Sequence, residues 1–155
     1  MESQVEKLET SVHIKASAVQ FHDVVCNRTH HLRNICPEKV QGVEILEGEW
    51  GTEGSIIFWN YVIDGKACVA KEAVEAIDKG NNKTTFKVLE GDLLQHYKSF
   101  NFIIQVIPQK EGSMVHWTME YEKLKDHFPD PHSLLQWAIE LIRDIDAHLI
   151  TQDQK

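Results

Sequence analysis

Between Ser55 and Lys123 the chain reads as five consecutive runs of alternating apolar and polar residues, with turn signals between them and no segment of helical period. Alternation of this kind marks strands with one buried face. The runs are Ser55 to Ile63, Lys66 to Ile77, Thr84 to Glu90, Gln95 to Ile107 and Ser113 to Lys123. Asp64-Gly65 separates the first two, a strong signal for a two-residue hairpin. Lys79-Gly80-Asn81-Asn82, Gly91-Asp92, and Pro108 with Gly112 separate the others. Parallel neighbours need a crossover of a dozen or more residues, usually a helix, and none is present here. The runs must form an antiparallel meander.

The flanks complete an α+β order. Leu8 to Lys15 alternates, with Leu8, Val12 and Ile14 on one face, and reads as a half-buried strand. Ser17-Ala18-Val19-Gln20 then forms a capping box for a helix running to about Arg28, with Phe21, Val24 and Val25 on its buried side. A second short helix over Thr29 to Ile35 is stopped by Pro37. Val40, Val43, Ile45 and Leu46 make a further strand. After Pro131, the residues Leu134, Trp137, Ala138, Leu141, Ile145 and Leu149 recur at the spacing of one helix face. That helix is expected to run about 18 residues, roughly 27 Å.

The proportions of these elements imply a cavity. Seven antiparallel strands at about 4.8 Å spacing span roughly 34 Å, whereas one helix with its side chains covers about 10–12 Å. The sheet must therefore curl around the helix, and space that its inward side chains leave unfilled becomes a pocket. Alternation places Trp59 and Tyr61, Phe86, Phe100 and Phe102, and Val115, Trp117 and Tyr121 on the inward faces. With Val25 from the first helix and Trp137 and Leu141 from the last, these are the candidate ligand-binding residues. Large rings with a polar edge suit a pocket that holds and orients an apolar molecule. Lys87, Lys98, His116, Glu120 and Glu122 fall on the opposite, solvent side.

Composition narrows the partners. Sixteen Lys and Arg against 24 Asp and Glu leave a net charge of −8 over 155 residues, which opposes binding to nucleic acid or an anionic membrane through charge. No apolar run is long enough to span a bilayer, and the opening Met1-Glu2-Ser3-Gln4 lacks the character of a signal peptide. The length suits one domain over residues 1–155, expected to be cytoplasmic and a monomer or weak dimer. Cys26, Cys36 and Cys68 show no metal-ligand spacing and read as buried small hydrophobes.

Beyond these patterns, seven segments resemble the plant major latex protein family, a branch of the birch-pollen-allergen superfamily. They are Ile35 to Val40, Glu47-Gly48-Glu49-Trp50-Gly51-Thr52, Trp59-Asn60-Tyr61, Asp64-Gly65-Lys66, Leu89-Glu90-Gly91-Asp92, Trp117 to Lys123 and Asp144 to Leu149. The resemblance implies a helix-grip fold: a seven-stranded curved antiparallel sheet around a long C-terminal helix, with two short helices between strands 1 and 2. It also implies an internal cavity for small hydrophobic plant metabolites (sterol, terpenoid, flavonoid, alkaloid or fatty acid) and an association with defence and stress responses. Norcoclaurine synthases resemble the same fold but place Tyr, Glu, Lys and Asp in the cavity. Here the corresponding strands read Phe100, Phe102, Ile104 and Val115, Trp117, Met119, with no inward Lys, which argues against that reaction.

Other constellations read as structural. Gly48-x-x-Gly51-x-x-Gly54 precedes a strand instead of a helix and lacks the lysine of a phosphate loop. His22 and His30, placed near the cavity mouth, read first as surface histidines and second as groups that could hydrogen-bond a ligand or act as an acid or base, and no His pair has metal-ligand spacing. Lys71 and Glu72, adjacent on a strand, must point to opposite faces. Asp144 and Asp146 read as the solvated side of the last helix. No catalytic residue, metal or cofactor is assigned. The leading expectation is a binding or carrier protein for a hydrophobic metabolite. The alternative is a cofactor-free cyclase or isomerase acting on a terpenoid or alkaloid intermediate confined in the cavity.

Overall fold

The structure is a computed structural model that describes residues 4–153; Met1 to Ser3, read above for leader character, lie outside the described residues. Strand β1 (Glu6–Ile14) leads into helix α1 (Ala18–Asn27), a single 3-10 turn (Thr29–His31) and helix α2 (Leu32–Ile35). Strands β2 (Val40–Glu47), β3 (Ile56–Ile63), β4 (Lys66–Asp78), β5 (Lys83–Gly91), β6 (Tyr97–Pro108) and β7 (Ser113–Lys123) follow, and helix α3 (His132–Asp153) is the last element among the described residues. The seven strands form one antiparallel sheet in the order β1-β7-β6-β5-β4-β3-β2. The meander is thus continuous from β2 to β7, and β1 joins at its far edge.

The local signals act as the residues require. Ser17 Oγ accepts the Gln20 N–H, and the Gln20 side chain accepts the Ser17 N–H, closing the capping box of α1. Asp64 and Gly65 both take positive φ, 51° and 75°, matching the primed turn that suits the twist of a hairpin. Gly91 sits at φ 129°, where an added Cβ would collide with the Val69 carbonyl oxygen of β4, so only glycine fits at the end of β5. Two boundaries differ from the sequence reading. A 3-10 turn (Asp92–Gln95) delays β6 until Tyr97. Helix α3 extends to 22 residues because no Gly or Pro interrupts its periodicity.

Register shifts at five places bend the sheet: near Val40/Gly42 and Ile45/Glu47 in β2, Lys71/Glu72 and Val74/Ala76 in β4, and Tyr97/Ser99 in β6. Phe86, Phe100, Ile104, Met119 and Tyr121 of the curved face share one buried core with Leu134, Ala138, Leu141, Ile142 and Ile145 of α3. Polar contacts set the pose of α3. Its Trp137 indole donates to the Val62 carbonyl at 2.9 Å, and Asp144 pairs with Lys39 Nζ at 2.9 Å. Asp146 accepts the backbone N–H groups of Lys15 and Ala16. Asp144 and Asp146 are therefore anchors of the helix, correcting their assignment to its solvated side. A helix that must lie in a curved sheet meets the strand ends along its flanks as well as along its base.

Candidate functional site: an apolar cavity with one acid

Between the curled sheet and α3 lies a cavity of about 610 Å³ of atom-free space, part of it open to solvent. Each element contributes in turn. Helix α1 and the segment after it supply Val25, Thr29 and Leu32; β3 supplies Trp59 and Tyr61; β4 supplies Ala70 and Glu72. Phe86 comes from β5, Leu93 from the turn before β6, Phe102 and Ile104 from β6, and Trp117 from β7. Helix α3 contributes Leu134, Trp137, Leu141 and Ile145, a stripe spaced at three and four that turns one face to the sheet.

Of the residues expected here, Val25, Trp59, Tyr61, Phe86, Phe102, Trp117, Trp137 and Leu141 line the cavity together. Phe100, Val115 and Tyr121 are not among the lining residues. They share the inward face but lie where side chains fill the space completely. The Phe100 ring stacks on Tyr121 at 5.6 Å, and Tyr97 closes on both. Alternation gives the face of a residue and not its position along the groove, so it cannot separate packed core from cavity wall. Neither His22 nor His30 is among the lining residues. His22 is buried away from the cavity with Nε2 2.7 Å from Thr84 Oγ1, and burial lowers its pKa. His30 stacks on Trp50 with ring centroids 4.4 Å apart.

The residue that the sequence reading left undecided is Glu72. The pleat of β4 sends Lys71 outward to a cross-strand ion pair with Glu90 at 3.3 Å, and sends Glu72 inward among the rings. Glu72 is 5% exposed. Burial raises its pKa to about 8, the opposing influence being the indole N–H of Trp59. Among the described residues no Lys, Arg or His lines the cavity. A carboxyl in such surroundings is held mainly as the neutral acid at pH 7.

Two of the wall residues carry a further polar atom. The indole N–H groups of Trp59 and Trp117 are buried without a hydrogen-bond acceptor, whereas Trp137 and Thr29 spend theirs on backbone carbonyls. The Tyr61 phenol, also in the wall, is raised by burial and stays neutral. The cavity is thus a hydrophobic chamber with one acid and two waiting donors. Cys26, Cys36 and Cys68 lie outside it as buried free thiols, and burial raises the pKa of each, that of Cys36 to about 12. Among the described residues no three His, Cys, Asp or Glu side chains converge as metal ligands.

A curved seven-stranded sheet gripping one long helix around an apolar chamber defines the helix-grip class of ligand-binding folds. The chain belongs to the pathogenesis-related protein Bet v 1 family, in its major latex protein branch: the family model matches residues 3–152. MLP-like protein 43 of Arabidopsis thaliana is 48% identical over 153 residues, covering 97% of each chain. MLP-like protein 34 of the same plant is 49% identical over 99% of this chain, which spans 49% of that relative's length. This chain thus covers about half of some curated relatives that it matches. Among solved structures, ginseng major latex-like protein 151 from Panax ginseng superposes with a TM-score of 0.91 at 42% identity, covering 93% of this chain and 97% of that one. A norcoclaurine synthase from Thalictrum flavum, at 17% identity and a TM-score of 0.76, shares the fold alone.

Proposed function

We propose that this protein binds a small, largely apolar plant metabolite in the cavity between sheet and α3, and so sequesters or carries it. The observation that supports this reading most directly is the chamber itself, walled by aromatic and aliphatic side chains in a fold whose family binds hydrophobic ligands. Burying about 200 Å² of ligand at about 25 cal/mol per Å² would supply about 5 kcal/mol. That corresponds to an affinity of a few hundred micromolar, so polar contacts must decide which molecules bind more tightly. A cytoplasmic location, a monomeric or weakly dimeric state and a role in defence or stress belong to the same proposal.

The test uses the cavity's own fluorophores. Three of the four Trp residues line the cavity. A panel of sterols, terpenoids, flavonoids, alkaloids and fatty acids should contain members that quench Trp emission and raise the melting temperature. Ala70→Leu, which pushes a side chain into the chamber, should abolish both effects. A panel without any response would refute the reading.

A second reading rests on Glu72. An acid with a pKa about 8 in a water-poor chamber can move a proton at neutral pH, which fits the cofactor-free isomerisation or cyclisation of a terpenoid or alkaloid intermediate. Turnover of such an intermediate, lost in Glu72→Gln with binding retained, would favour that reading over simple carriage.

A further inference from the structure

Resting on the cavity-binding reading, we infer that the preferred ligand carries a protonatable amine, seated as an ammonium against Glu72 and the surrounding ring faces, and that carboxylate ligands are rejected.

The argument begins with charge. Glu72 is the one acidic side chain in the cavity wall, and no described cation faces it from β3, β5, β6, β7, α1 or α3. Tyr61 on β3 is the other titratable group in the wall, and its phenol remains neutral. A buried carboxyl with no internal cation leaves charge neutralisation to whatever enters. A ligand carboxylate would bring a second acid into a wall without a cation, so it enters only beside a Glu72 that keeps its proton and it gains no ion pair there.

The ring faces point the same way. Trp59, Tyr61, Phe86, Phe102, Trp117 and Trp137 surround the space, and a cation over an aromatic face is attracted by the ring quadrupole. The Trp59 N–H, which makes no formed hydrogen bond but lies beside Glu72, is placed to stabilise the ionised form of that carboxyl. Its donor therefore becomes useful when the carboxyl gives up its proton. The Trp117 N–H, in a side chain 5% exposed, is a second unengaged donor that a ligand oxygen would satisfy.

Proton balance is explicit. At pH 7 the ammonium ligand enters with its charge, Glu72 loses its carboxyl proton to the buffer, and the two ions pair without net charge in the cavity. Binding should release close to one proton per ligand at pH 7 and less as the pH approaches 9. Amine affinity should rise between about pH 6 and pH 8 and level off once Glu72 is ionised in the free protein.

An isosteric series gives the test: 1-octylamine, 1-octanol and octanoate, followed by Trp fluorescence and by calorimetry in two buffers of different ionisation enthalpy. The amine is expected to bind about tenfold more tightly than the alcohol, the margin between a charge-assisted and a neutral hydrogen bond. Octanoate is expected to bind weakest. Glu72→Gln, which leaves a neutral side chain of nearly the same shape, should erase the amine preference and the proton release while retaining octanol. The protein's acidic surface also attracts amines, but that attraction would survive Glu72→Gln. Equal binding of all three probes, or an amine preference that persists in Glu72→Gln, would overturn the inference and leave the cavity reading intact. If no probe binds, both fall.

Discussion

The carboxylate of Asp146 accepts the backbone N–H of Ala16 at 2.9 Å and that of Lys15 at 3.0 Å, joining the last helix to the bend where the first strand becomes the first helix. These two donors lie beyond the ladder of β1 and before the first helical hydrogen bond of α1, so neither element satisfies them. Asp146→Ala should lower the unfolding free energy by about 1.5–3 kcal/mol, the usual range for hydrogen bonds to a charged group. Urea denaturation checks the value. Asp146→Asn, which keeps one acceptor, should recover part of it.

Glu72 should make stability fall as pH rises. Its folded pKa of about 8 lies above the value near 4.3 expected of an unfolded Glu. Between those values the folded state holds a proton that the unfolded chain has released, and the folded state loses about 1.4 kcal/mol per pH unit through this group. The loss is complete above the folded pKa. Glu72→Gln should lack this component, so the stability difference between variant and wild type should widen from about pH 5 to pH 8. A constant difference across that range would contradict the assignment.

Phe100 and Phe102 share one face of β6 but should behave differently. Each is buried, and truncation to Ala should cost about 3–5 kcal/mol in stability. Phe102 lines the cavity and Phe100 packs against Tyr121. Phe102→Ala should therefore change affinity for an apolar probe, and Phe100→Leu, the milder change, should leave it within about twofold. Titration by Trp fluorescence separates the two.

Asp130 closes one end of the molecule. The Tyr121 hydroxyl donates to its Oδ1 at 2.8 Å, and Lys123 Nζ pairs with the same oxygen at 2.9 Å. Both interactions hold the Asp130 pKa below the usual carboxylate value. This contribution is present above the unfolded carboxylate pKa and fades as pH falls through the lower folded one. Asp130→Asn should speed amide exchange across residues 124–131, where Tyr97 also donates to the Pro129 carbonyl at 3.2 Å. Because the Asp130 side chain is 38% exposed and its charge is partly screened by solvent, the change in global stability should be small.

Much of the fold was legible because its signals are local. The Asp64-Gly65 turn, the Ser17/Gln20 box and the period of α3 each depend on residues within a few positions of one another. The proportion between seven strands and one helix extended those signals to a curled sheet. Less of the site was legible. Phe100, Val115 and Tyr121 satisfy the same alternation as Phe102 and Trp117, yet only the latter pair reaches the cavity. Leu93 enters from a turn with no strand pattern to announce it, and alternation set Glu72 opposite Lys71 without saying which of the two faced inward.

What the sequence determined by itself was the order of elements, the face on which each residue falls and the consequence that one helix cannot cover so wide a sheet. Tertiary structure alone decided which of those faces close on each other and which stay apart. The register shifts in β2, β4 and β6 bend the sheet, and the three polar ties from Trp137, Asp144 and Asp146 hold α3 in its groove. Where sheet and helix meet, aromatic side chains fill the gap; where they diverge, the same kind of side chain walls a chamber. That divergence also fixes the role of Glu72. Alternation set it opposite Lys71, but only the curvature of the sheet put an acid, with no cation beside it, among rings.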